Sequence, residues 1–140
     1  MPESYGITPL TAGGAHKQLI ARHTPLATRG IVLAGGGPVY TRGCIVYSAT
    51  IAGPFAKAAT GFLPTATDVI AIVSQTLDTA GSVGNVQHVA YVGPGEFVRE
   101  TVQAASGAMT AGEFLAIEQL MVLRAMNLVK SAYADVTDAA

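Results

Sequence analysis

"YVGPGEFVRE", Tyr91 to Glu100, sets a Gly-Pro-Gly turn between two runs of β-forming residues. Pro94 presets φ for a turn, and the glycines beside it can take positive φ. The pattern predicts a hairpin corner that joins a strand at Val86–Val92 to one at Glu96–Gln103. Tyr91 and Phe97 fall on the flanking strands. The competing reading is a catalytic glycine loop with Glu96 as general acid. That chemistry needs a partner carboxylate, histidine or metal ligand, and spacing ties none to Glu96. The residue is expected to be exposed or at an interface.

Further strands are expected upstream. "DVIAIVSQTL" (Asp68 to Leu77) is apolar enough for a strand buried on both faces, and "DTAGSVGN" (Asp78 to Asn85) is turn chemistry. Ile31–Leu33 and Val39–Tyr47 flank Gly35-Gly36-Gly37-Pro38, which predicts a second hairpin. Gly43 interrupts the later run and signals a bulge or a close backbone approach. Ala52 to Thr67 reads as a loop punctuated by Gly and Pro.

Downstream the period changes. Thr110 and Glu113 form the S/T-x-x-E pattern of a capping box. Phe114, Ile117 and Met121 then recur at helical spacing. Arg124 is placed in the last turn and Asn127 at the left-handed stop, so the helix ends near Met126. Leu128–Lys130 becomes a short closing strand. The helix is apolar on more than one side (Phe114, Leu115, Ile117, Leu120, Met121, Leu123, Met126), which predicts burial on two sides.

Residues 1–28 form a separate block with Pro2, Pro9 and Pro25 and no sustained apolar period. It reads as an extended arm rather than core, with sticky islands at Ser4–Thr8 and Gln18–Ala21. Residues 29–140 are read as one domain: mostly β with one short C-terminal helix, a small β-sandwich or barrel-like fold.

Composition limits the function. The chain has 140 residues and a formal net charge of −1, and 12% of its residues are charged. An average soluble domain has about 25%. The eight Lys and Arg residues are scattered, whereas a nucleic-acid binder shows a basic patch or stripe. Mean hydropathy is +0.42. A surface so poor in charge is expected to be covered by other chains; the competing reading is an Ala- and Gly-rich monomer whose high hydropathy reflects its small residues. "PESYG" after Met1 has neither a basic nor an apolar region, so no secretory leader is expected. "VIAIV" is far shorter than the roughly 20 apolar residues of a membrane span, so a soluble protein is expected.

Chemistry-bearing residues are sparse. Cys44 is the single cysteine, and it lies in an apolar strand where a free thiol is usually core. His16, His23 and His88 show no metal-ligand spacing. "AGGGP" lacks the Lys-Ser/Thr pair of a phosphate loop and opens no helix. No catalytic residue, cofactor or metal is expected.

From Arg29 onward the order of segments resembles the lambda-type head decoration, or capsid cement, proteins of bacteriophages. "GGGPVYTRGCIVY" looks like their Arg-Gly-containing early strand, and "TDVIAIVSQTLDT" like their central apolar strand. "YVGPGEFVRETV" is similar to their Gly-x-Phe hairpin, and "EQLMVLRAMNLVK" to their C-terminal helix and final strand. Thr50 to Ala66 matches least. The resemblance implies a β-tulip-like domain in a homotrimer on the outer surface of the expanded capsid, stabilising the shell against DNA pressure. It also implies an N-terminal arm, disordered when free, that adds a strand to the major capsid protein.

Hydrogen bonds net only about 1 kcal/mol each, while ordering the backbone costs about 1–2 kcal/mol per residue. The arm therefore needs apolar anchors. Tyr5 and Ile7 share one face of a Ser4–Thr8 strand, and the expected contact set is Tyr5, Ile7, Thr8 and Leu10. Leu120, Leu123, Tyr91 and Phe97 are expected at the trimer interface. The alternative is a small β-barrel ligand-binding module with a cavity between Ile70, Ile72, Val89 and Tyr91. A hydrolase or acyl-transfer enzyme would rest on Cys44 and Glu96 alone.

Overall fold

A computed structural model describes residues 18–21, 27–107 and 109–130. Among the described residues, nine strands and two helices run in the order β1 (Thr28–Leu33), β2 (Val39–Tyr40), β3 (Ile45–Ser48), β4 (Ala56–Lys57), β5 (Val69–Val73), β6 (Leu77–Asp78), β7 (Val86–Tyr91), β8 (Gly95–Val98), α1 (Arg99–Ala105), α2 (Ala111–Val122) and β9 (Met126–Val129). The domain is mostly β, as expected, with antiparallel sheets and no closed barrel among the described residues. A five-stranded antiparallel sheet, β1-β7-β5-β3-β4, forms the centre. β2 pairs with β6, and β8 pairs with β9 in parallel.

Side-chain alternation on the central strands divides the core in two. Ile45, Ile70 and Ile72 face one side, where Phe97, Val102, Phe114, Ile117, Met121 and Met126 cover them. Val46, Ala71 and Val73 face the other, against Tyr40, Cys44 and Phe55. β5 is buried on both faces, as its unbroken apolar run predicts.

The Gly-Pro-Gly stretch is not a hairpin corner. β7 belongs to the central sheet and β8 to the β8–β9 pair, so the turn carries the chain from one layer to the next. The extended reading of Glu96–Gln103 also ends early, because the chain becomes α1 after Val98. Thr101, Val102 and Ala105 are buried at helical spacing, and Arg, Glu, Gln and Ala are good helix formers. Parallel pairing explains the helices: β8 and β9 need a long crossover, and α1 and α2 supply it.

The triglycine stretch is not a hairpin either. β1 pairs with β7, from Thr28↔Tyr91 to Leu33↔Val86. Residues 35–38 dock on the 79–84 turn. A Cβ on Gly35 would lie 1.9 Å from the Gly84 carbonyl oxygen. Gly36 N donates to Ser82 Oγ, and Gly37 N to Thr79 Oγ1, each at 3.1 Å. Gly43 is a close approach, as expected: its φ is +94, and a Cβ there would meet Leu19 Cδ1 at 3.3 Å.

Leu19 marks a larger difference. Gln18–Ala21, read as part of the arm, is seated in the domain. Leu19 is fully buried. Val98 N donates to Leu19 O at 2.7 Å, and Ala21 N to Glu96 O at 3.0 Å. Thr101 Oγ1 donates to Gln18 O. This strap lies antiparallel along β8, with Ile20 bridging Phe97.

α2 begins as predicted. Glu113 N donates to Thr110 Oγ1 at 3.2 Å, and Thr110 N donates to Glu113 Oε1 at 2.9 Å. The Thr110 N–H holds the Glu113 carboxyl below its ordinary range. The end differs: the helix stops at Val122, Ala125 rather than Asn127 takes positive φ (58°), and Asn127 lies inside β9. Arg124 follows the helix and donates to the carbonyls of Leu120, Ala66 and Asp68 at 3.1, 2.9 and 2.6 Å.

The left-handed conformation costs a residue with a Cβ roughly 1–2 kcal/mol, and glycine offsets about half of that relief through its looser unfolded chain. Ala125→Gly is thus expected to stabilise the domain by up to about 1 kcal/mol, read as a raised urea midpoint.

Candidate interaction surface

The candidate chemical groups are dispersed. Cys44 is buried beneath the central sheet, and burial pushes its thiol up to about 12. It therefore stays protonated at neutral pH, which disfavours it as a nucleophile. Glu96 is half-buried on β8, in register with Asn127. His88 Nε2 lies 2.8 Å from the Gln75 carbonyl oxygen. Among the described residues, no group of three or more His, Cys, Asp or Glu could hold a metal ion. His16 and His23 lie outside those residues. No helix among the described residues is long and apolar enough to cross a membrane.

The cavity of the ligand-binding alternative does not form as drawn. Ile70 and Ile72 are buried in the core, but Val89 is 48% exposed on the same face of the sheet, beyond the part that the helices cover.

The four interface candidates separate. Phe97 is fully buried in its own subunit, where it offers no surface to a partner. Tyr91 is half-buried, its ring 5.7 Å from that of Phe97 at 57°. Leu120 is also half-buried against the core. Leu123 is 77% exposed. Tyr5, Ile7, Thr8 and Leu10 lie outside the described residues.

α2 presents the least conventional surface. Its inward positions are Phe114, Ile117 and Met121. Its exposed positions are Ala111, Gly112, Leu115, Ala116, Gln119 and Val122, followed by Leu123, and none carries a charge. The charged residues nearby are engaged elsewhere. Glu113 closes the capping box and accepts from Gly61 N. Glu118 is held by Arg99 at 3.0 Å. Arg124 binds carbonyls. A surface helix normally turns charged residues to water, yet here Leu115, Val122 and Leu123 are 50%, 53% and 77% exposed. Phe62, on the loop that Gly61 ties to the start of α2, is 68% exposed.

No protein-family model, curated protein or solved structure matches this chain. What it does is read from its surface. The seating of the strap went unseen in the sequence. The strap had a signal, because "QLIA" is an apolar island in a polar block.

Proposed function

We propose that this chain is a structural virion protein: a homotrimeric, β-tulip-like head decoration protein that cements the outer surface of the expanded phage capsid. The outward face of α2 carries the reading. It is a charge-free apolar stripe on a chain with few charges anywhere, and a second copy covers it in the trimer. The order of segments from Arg29 onward supports the family. The residues before Gln18 serve as the capsid-binding arm, with Tyr5, Ile7, Thr8 and Leu10 adding a strand to the major capsid protein. Three arms on one trimer turn weak single contacts into avid binding.

With Gln18–Ala21 seated in the domain, the proposed arm is shorter than the block read from the sequence. The arm is residues 1–17, with a reach of about 55 Å at ~3.3 Å per residue, rather than about 90 Å for residues 1–28. Deleting residues 1–17 is expected to leave a folded trimer that no longer co-sediments with purified expanded shells. Undiminished shell binding would rule out the arm mechanism. Leu123→Glu places a charge in the covered stripe, and is expected to weaken trimer association roughly tenfold or more. Sedimentation equilibrium reads this directly, and an unchanged trimer would move the copy contact off α2.

A further inference from the structure

The stripe on α2 needs an unlike partner. Copies in a closed three-membered ring meet through heterologous contacts, in which one patch of each copy covers a different patch of the next. A trimer that buries the stripe in this way uses a second face of the same chain.

The central sheet supplies one. In the β1–β7 ladder Thr28, Gly30 and Val32 stand opposite Tyr91, Val89 and Gln87, so these residues share one face of the sheet. Tyr91 also pairs with Ile72 of β5, which puts this face on the side that the helices cover. The cover ends at Tyr91. Beyond it Thr28, Gly30, Gln87 and Val89 are exposed and Val32 is half-buried. None of the five carries a charge. Arg29 stands in register with Ala90 on the opposite face. The shelf is also open at its centre, because a Cβ built on Gly30 meets nothing within 4 Å.

The two surfaces match in size and charge. α2 has 12 residues and is about 18 Å long. β1 and β7 have six residues each and run for about 20 Å. A helix with its side chains is about 10 Å across, and two adjacent strands span about the same width. Both surfaces are neutral, so joining them strips water from no ion. Ile51, Phe62 and Val83 are exposed as well, but each lies outside the strands and helices. Scattered apolar residues of this kind are normal, and none alone approaches the roughly 800 Å² per partner of a stable contact.

We infer that the outward stripe of α2 in one copy, Leu115, Val122 and Leu123, packs on the β1–β7 shelf of the next copy, over Gly30 and Val89. Each copy gives a helix to one neighbour and a shelf to the other. This inference rests on the trimer reading above.

Cross-linking and association test it. Val89→Cys and Leu123→Cys are combined in one chain and treated with a short bis-maleimide. Cys44 is fully buried and does not compete. Covalent dimer and trimer are expected from the double variant and from neither single one. Val89→Asp is expected to weaken trimer association about tenfold or more in sedimentation equilibrium. The cross-link decides the matter if that variant misfolds. A trimer unchanged by Val89→Asp, or a trimeric double variant that gives no covalent product, overturns the inference alone. Cross-linking of the single Leu123→Cys variant also overturns it, because the stripes then meet one another at the three-fold axis. A wild-type protein that sediments as a monomer overturns the trimer reading and this inference together.

Discussion

Phe97→Ala is expected to lower the unfolding free energy by about 3–5 kcal/mol, the range for deleting a fully buried aromatic ring. A domain of this size holds roughly 5–15 kcal/mol in total. The variant should therefore be strongly weakened, with a urea midpoint reduced by about a fifth or more. Phe97 stands where three elements meet. Its strand pairs with β9 on one edge and with the strap on the other. Its ring lies in the core with Ile45, Ile70, Ile72 and Met126. Truncation leaves a cavity that none of these can fill, because β8 is held by hydrogen bonds on both edges. A midpoint within experimental error of wild type would show that the ring is not packed as described.

Leu19→Ala comes second, at about 2–5 kcal/mol. Leu19 is fully buried, and its Cδ1 is the nearest heavy atom to the space that a Cβ on Gly43 would occupy. Losing the side chain removes the apolar anchor of the strap. Its backbone bonds to Glu96 and Val98 remain, but these net only about 1 kcal/mol each. Amide exchange at Ala21 and Val98 should consequently accelerate more than exchange in the central sheet. Equal acceleration everywhere would mean that the strap opens only with the whole domain.

The two variants bear on what could be read in advance. The capping box of α2 and the two-faced burial of β5 were legible because their causes are local: a hydroxyl and a carboxylate three residues apart, and an unbroken apolar run. The turn at Gly93-Pro94-Gly95 was also local, and it is a turn. What it connects is not local. Whether β8 continues β7's sheet or starts another depends on β9, about 30 residues later along the chain. α1 was hidden because Phe97, Val98, Thr101 and Val102 are β-forming residues.

Among the candidate surface residues, Leu123 was legible as an apolar side chain at the end of a helix already apolar on its inner face. Phe97 was misplaced for the same reason that the hairpin was. An aromatic beside a turn reads as available until a second layer closes over it.

The strap has a mechanical consequence. On the proposed reading, an arm fastened to a pressurised shell would transmit tension to the strap at Gln18. Beyond that point, Leu19–Ala21 lies antiparallel to β8, with bonds at both Val98 and Glu96. Tension along the strap axis loads these bonds in shear, together rather than one after another as in peeling. The buried Leu19 side chain must also be drawn out before the strap can slide. A pull applied at Gln18 would thus reach β8 and β9 before it reached the central sheet.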